Sequence, residues 1–263
     1  MNARFIFPWV LLIWGSIVAL GCQTPLPPRE PLDAIDPRPG ALIEALETTA
    51  AARSSLQGAL KLSLDAPDLH FRRPQRLALR RPADLRVEIL GLFGQIAAVL
   101  VTDGVTYQTF DASRGSVESG DVTPDLLWRT ARVALRPSEA VDLLLGAPRP
   151  SEESFFASAF AEPAGGVSLD FRDDQGRLRE RFNFDDKGQL GEFIRFAENG
   201  DVAWEAKFDD YRDVSGSPFA FEVRLNFPEL DARAILRFDH AVLDPILADG
   251  LFALRMSGHV DSQ

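Results

Sequence analysis

From Leu178 to Phe238 the chain alternates apolar and charged residues, and turn sequences cut the alternation at short intervals. Leu178, Phe182 and Phe184 fall on one face, as do Leu190, Ile194 and Phe196, and then Val202, Trp204, Ala206 and Phe208. The pattern runs on through Phe219, Phe221, Val223, Leu225 and Phe227 to Ala232, Ala234, Leu236 and Phe238. The opposite faces carry Arg179, Arg181, Arg195, Glu205, Lys207, Glu222, Arg224, Arg233 and Arg237. Successive side chains of a strand point to opposite faces, so this period of two predicts an antiparallel sheet with one wet face and one aromatic face. Asp173-Asp174-Gln175-Gly176, Asp185-Asp186-Lys187-Gly188 and Glu198-Asn199-Gly200 supply the hairpin turns. Their even spacing is hairpin regularity and not a sequence repeat, because it does not persist before residue 170.

The first half mixes periods. Leu42, Leu46 and Ala50 recur at helical spacing, which predicts a helix over 41–55. Strands follow at Leu56–Leu64, around Leu77 and Leu79, and at Leu85, Val87 and Ile89. Ile96–Thr102 is apolar on both faces, and Asp103-Gly104 turns it back into Val105–Phe110. A helical pair then interrupts the sheet. Thr123-Pro124-Asp125 reads as the start of the first helix, Ser138 as the cap of the second, and Gly146 with Pro148 as its stop. The expected class is mainly β with α (α+β). About ten strands in one antiparallel sheet curl toward a barrel or half-barrel, with about three helices against it.

The N-terminus has a different logic. Arg4 is the only charge before Cys22, and Phe5–Leu20 is almost wholly apolar, interrupted by Pro8 and Gly15. That is the layout of a secretory signal, whereas a spanning helix needs about 20 uninterrupted apolar residues. Val18-Ala19-Leu20-Gly21-Cys22 resembles the bacterial lipobox, and Cys22 is the single cysteine of the chain. The resemblance implies cleavage after residue 21 and lipid on Cys22, with no other cofactor. Residue 23 is Gln where Asp marks inner-membrane retention in many Gram-negative bacteria, so it points to the outer membrane. Residues 22–40 hold Pro25, Pro27, Pro28, Pro31, Pro37 and Pro39 and are expected to form a tether with a reach of about 50 Å at ~3.1 Å per residue. The expected organisation is a signal peptide over 1–21, a lipidated tether over 22–40 and one domain over 41–263.

Charge and chemistry exclude several functions. The formal charge of −11 becomes −12 once Arg4 is removed, which disfavours nucleic acid and any bulk attraction to anionic lipid. His70, His240 and His259 lack metal-ligand spacing, and no nucleophile elbow, P-loop or dinucleotide fingerprint is present. The acid pairs Asp173-Asp174, Asp185-Asp186 and Asp209-Asp210 lie at turns or strand ends, where acids stay solvated. Neither catalytic nor metal-binding residues are expected, and the protein is not read as an enzyme. What remains is apolar. Phe182, Phe184, Phe196, Trp204, Phe208, Phe219, Phe221 and Phe227 fit a core covered by the helices, or the wall of a cavity for acyl chains, which need apolar contact and few specific partners. Gly91-Leu92-Phe93-Gly94 places two large apolar residues at a hairpin tip, which either dips into a bilayer or folds over one end of the barrel; the first reading is preferred.

These residues resemble the LolA/LolB superfamily, nearest to LolB-type outer-membrane lipoproteins. The resemblance runs from Ser55-Leu56-Gln57-Gly58 through Val87–Gln95 to Ala140-Val141-Asp142-Leu143-Leu144-Leu145-Gly146-Ala147-Pro148. It implies an unclosed antiparallel barrel with helices as a lid over a cavity that takes lipoprotein acyl chains. The expected wall is Leu85, Val87 and Ile89 with the eight aromatics above. It assigns membrane insertion to Leu92 and Phe93, although the family often has Pro-Leu-Gly where this chain has Leu-Phe-Gly. The implied protein is a monomer facing the periplasm that receives acylated cargo, from a LolA-type periplasmic carrier where one exists, and delivers it to the outer membrane. The stretch after residue 150 is longer and more regular than in a LolB. It also fits an envelope lipoprotein that transports nothing and uses the fold for protein interaction or sensing.

Overall fold

Period-two sequence makes strands here, and hairpins join nearly all of them. In the computed structural model, which describes residues 29–162 and 165–254, the first meander comprises β2 (Ser55–Ala66), β3 (Leu69–Arg80), β4 (Asp84–Leu90), β5 (Ile96–Thr102), β6 (Thr106–Asp111) and β7 (Ser116–Asp121). Two helices, α2 (Leu126–Ala131) and α3 (Pro137–Leu144), then lead to a second meander. It comprises β8 (Phe155–Ala161), β9 (Val167–Arg172), β10 (Leu178–Phe184), β11 (Leu190–Phe196), β12 (Val202–Val214), β13 (Ser217–Phe227) and β14 (Ala232–Leu243). A two-residue strand, β1 (Glu30–Pro31), and the helix α1 (Arg38–Ala52) precede both. Pairing of β14 with β2 fuses the meanders into one sheet of 14 strands, ordered β1-β8-β9-β10-β11-β12-β13-β14-β2-β3-β4-β5-β6-β7. The sheet is antiparallel and unclosed, with β1 and β7 at its edges. Ten strands were expected; β1, β7, β8 and β9 were not read. Val167–Leu169 are buried on both faces and so show no alternation, while the edge strands have little to bury.

Several boundaries move for identifiable reasons. The first helix starts at Arg38, not residue 41, because Pro39 occupies its first turn, where a missing N–H costs no hydrogen bond. Thr123 does not cap α2: its carbonyl accepts from Leu126 N at 3.0 Å in a turn before the helix. Ser138 does not cap α3 either. The helix begins at Pro137, and the Glu139 carboxylate accepts from the Arg136 backbone N at 2.9 Å. The expected tether is also shorter at its far end. Pro31 pairs with Phe160, and Leu32 N donates to the Ala159 carbonyl at 2.9 Å, so the chain is docked on the sheet from residue 29 onward. Proline is tolerated there because β1 is an edge strand. Cys22 and the signal segment lie outside the described residues.

The core is not uniform. In the second meander Phe171, Phe182, Phe193 and Trp204 stack along the concave face, with ring centroids 5.4, 4.5 and 5.2 Å apart. Phe219, Phe221 and Phe238 form a second aromatic group. Leu46 and Ala50 of α1 join this core. Bulges at Asn183/Phe184 and Arg195/Phe196 shift the register, so that Phe193 and Arg195 face inward in place of the expected Ile194 and Phe196. In the first meander, β5 is apolar on both faces because the C-terminal segment crosses its outer side. Leu251 O accepts from Arg86 at 3.0 Å, Leu254 N donates to Gln108 at 2.8 Å, and Val101 lies between those two partners in the register.

Candidate functional site

Between β2–β7, with Leu225 of β13 and Leu236 of β14, and the pair α2–α3 the structure keeps a cavity of about 330 Å³. Its sheet wall is aliphatic: Leu77, Leu85, Val87, Ile89, Ala98 and Leu100. The helical side adds Leu127, Leu135, Leu143 and Leu144. The rim along the β6–β7 hairpin is polar, with Asp111, Arg114, Ser116 and Glu118. The volume lies at the lower end of the about 300–1,000 Å³ occupied by ligand pockets.

Register fixes how this cavity is layered. Leu77, Val87 and Leu100 form one row across three strands. The next row is Gln75, Ile89, Ala98, Asp111 and Ser116. Beyond that row the β4–β5 hairpin turns through Gly91–Gln95. Gly91 N donates to Gln95 O at 2.8 Å, Gly94 N donates to Gly91 O at 3.0 Å, and Phe93 N donates to the Gln95 side-chain oxygen at 3.0 Å. Gly94 takes φ +78°, a value an L side chain would strain. The tip so built holds Leu92 86% exposed and Phe93 94% exposed. At that exposure neither side chain is packed over the end of the half-barrel.

Of the eleven residues expected to line the cavity, Leu85, Val87 and Ile89 border it. Phe182, Phe184, Phe196, Trp204, Phe208, Phe219, Phe221 and Phe227 do not. They are buried elsewhere; all but Phe196 belong to the packed main core, while Phe196 lies under the Arg181 guanidinium, 5.6 Å from its ring centre. The aromatic side chains fill their own half of the sheet, whereas the smaller aliphatic wall of the other half leaves room.

Charged residues hold the helices over this site. Arg53, buried at the end of α1, donates to the carbonyls of Leu145 and Gly146 at 3.0 and 3.1 Å. Arg81 donates to Ala147 O at 3.0 Å and also pairs with Asp142 of α3. Both cations face the C-terminal end of α3, where the carbonyls lack helical partners. At the end of α2, Arg132 pairs with Asp68 in the β2–β3 turn and holds that carboxyl below its usual range. Inside the aromatic half, Glu180 is fully buried against Arg195 at 3.0 Å, and accepts from Ser151 N at 3.0 Å and from the Ser154 hydroxyl.

The histidines and acid pairs form no centre. His70 pairs across the hairpin with Asp65 at 2.6 Å, and both are exposed. His240 lies on β14, and His259 lies outside the described residues. Asp173 and Asp185 accept backbone N–H groups inside their own turns, and Asp209 and Asp210 pair with Arg224 and Arg212. Among the described residues no cluster of His, Cys, Asp and Glu could hold a metal ion, and no helix is long and apolar enough to cross a membrane.

Comparison with solved structures bears on the fold. A LolA superfamily protein from Nitrosomonas europaea superposes with a TM-score of 0.54 at 11% identity, over 81% of this chain and 97% of that one. A putative outer membrane lipoprotein-sorting protein domain from Vibrio parahaemolyticus gives 0.51 at 9% identity, over 81% and 94%. This chain has the LolA-type fold. A DUF1329 family protein from Desulfovibrio piger shares it at 0.53 and 9% identity, over 81% and 95%. No protein-family model matches the sequence, and no curated protein matches it. Most of the wall of this LolA-type half-barrel escaped the sequence reading, and one of the missed residues is polar. Gln75 lies two residues before Leu77 and four before Leu79, so period two puts it on their face. A polar residue there reads as the end of the apolar stripe, although it is its continuation.

Proposed function

We propose that this protein is a membrane-anchored binding protein that takes up acyl chains of a lipoprotein or lipid and delivers them to the outer membrane. The observation that carries the reading is the juxtaposition of an aliphatic cavity with an exposed Leu92–Phe93 turn one row beyond it. A ligand entering that end of the sheet meets the turn first, and a turn inserted in a bilayer would place the cavity mouth at the lipid surface. The work is binding and release, not bond-making. The cavity suits a chain more than a whole multi-chain lipid, so larger cargo requires α2 and α3 to move. Lipid on Cys22 would anchor the domain. The stretch from Cys22 to the docked Arg29 spans about 20–25 Å at most, less than half of what a free tether to residue 40 would allow. A LolA-type carrier on the periplasmic side would supply the cargo, and the domain would work as a monomer.

The non-transporting reading draws support from the filled aromatic half, whose ring stack makes a rigid platform suited to protein contact. Mass spectrometry of lipids co-purified with the chain starting at residue 23, which lacks the apolar N-terminal segment, separates the two. Near-stoichiometric acyl ligand is expected. Lipid-free protein that also fails to take up added fatty acid would sink the carrier reading and leave the interaction module.

A further inference from the structure

On the β3–β5 part of the wall one polar side chain interrupts the aliphatic surface. Gln75 is only 6% exposed, borders the cavity, and has no hydrogen bond to its carboxamide among the described residues. Its register neighbours on either side are Leu60 and Ile89, and its own strand continues inward with Leu77 and Leu79. A leucine would complete that stripe. Its carboxamide is not sealed off, since the residue borders the cavity and its polar atoms keep some accessible surface, so its donors and acceptor are free to meet a ligand, and sites that break a local rule in this way tend to be functional. The other polar groups at the rim, Asp111, Arg114, Ser116 and Glu118, stand across the cavity on the β6–β7 hairpin and are better solvated.

The register sets the polarity of a ligand at this point. One row inward are Leu77, Val87 and Leu100, which offer apolar contact before the row reaches Thr109 and Glu118 on β6 and β7. Two residues outward on the same face is Arg73, exposed, with its guanidinium donating to the carbonyl of its own neighbour Arg72 at 3.1 Å. Along β3 itself, apolar Leu77, neutral polar Gln75 and cationic Arg73 therefore follow one another toward the Leu92–Phe93 turn. That sequence matches an acyl chain, the carbonyl that links it, and an anionic group.

We infer that Gln75 is a specificity-determining residue that hydrogen-bonds the ester or amide linkage of a bound acyl chain, with the chain past Leu77 and the headgroup toward Arg73. A carboxamide suits both linkages, because its NH₂ donates to a carbonyl and its oxygen accepts from an amide N–H. The inference rests on the carrier reading above and narrows its ligand from any apolar chain to one with a carbonyl at its head.

The test compares palmitoyl lysophosphatidylcholine with its hexadecyl ether analogue, which keeps the headgroup and lacks the carbonyl. The parent chain should bind the ester about threefold to tenfold more tightly, the range set by one neutral hydrogen bond. Gln75→Leu should bind the two equally, with the ether bound at least as well as by the parent. Its ligand-free melting temperature should equal or exceed the parent's, which a merely structural glutamine would not allow. Gln75→Met gives the same comparison with an unbranched side chain. Equal binding of ester and ether by the parent, or discrimination retained in both variants, would overturn this inference alone. Failure of the parent to bind either lipid would overturn the carrier reading together with it.

Discussion

Replacing both tip residues, Leu92→Glu and Phe93→Glu, should weaken membrane engagement strongly and leave the fold intact. Leu92 and Phe93 are 86% and 94% exposed, so neither contributes core packing. The turn is held by backbone bonds and by Gln95, none of which the substitution removes. Moving a leucine or phenylalanine side chain from water to an apolar phase is worth about 1.5–3 kcal/mol each. Two together give about 3–6 kcal/mol, or on the order of a hundredfold to ten-thousandfold in partitioning at about 1.4 kcal/mol per tenfold. Shallow insertion realises the lower part of that range, so the expected loss is about a hundredfold. The assay is flotation with vesicles of phosphatidylethanolamine and phosphatidylglycerol, with the chain starting at residue 23 so that neither covalent lipid nor the apolar Phe5–Leu20 segment masks the tip. A melting temperature within about 1 °C of the parent's is expected, since surface changes usually stay within ~0.5 kcal/mol. Flotation of the double variant within twofold of its parent would refute the reasoning, because the tip would then contribute nothing to binding.

Arg195→Met should strand the buried Glu180 carboxylate. Breaking a buried pair costs about 3–5 kcal/mol, and the bonds from Ser151 and Ser154 keep this case near the lower figure; a drop of about 6–12 °C follows at ~2–4 °C per kcal/mol. Glu180→Met added to it should restore most of the loss, and thermal unfolding of the four-member cycle showing no coupling would contradict the assignment. Asp103 accepts N–H bonds from Thr106 and Val105, which hold its carboxyl below the ordinary value of 3.8. A depressed folded value stabilises the hairpin above pH about 3.8 and is lost as pH falls through the folded value. The Val105 and Thr106 amide resonances should therefore titrate below pH 3.8, and a midpoint at or above it would show that the turn does not bind the carboxylate.

The legible parts of this fold are those where local chemistry decides. The strand around Leu85, Val87 and Ile89 needs only alternation, and the turn at Asp173–Gly176 needs only an acceptor side chain and a glycine at φ +77°. The tip at Leu92–Phe93 was legible because two glycines leave nothing nearby to cover it. The edge strand β7, Ser116–Asp121, was missed because an edge buries too little to impose a pattern. Phe193 was overlooked and Ile194 placed inward because a one-residue bulge inverts the faces that follow it, and no alternation rule can see a bulge. Glu180 was passed over for a similar reason, since its place among phenylalanines makes sense only with Arg195 on the next strand.

By itself the sequence determined the antiparallel sheet, the helical interruption and the exposed tip, since each follows from the order of residues within one hairpin or helix. Only the tertiary structure decided which half of the sheet is hollow. The aromatic stripe marked a large apolar face, yet rings from β9 to β12 meet one another and close that space, while α2 and α3 stand off the smaller side chains of β3 to β6. Whether an apolar face is filled depends on volumes contributed by distant strands and by helices carried back across the sheet, and that sum is not written in any one of them.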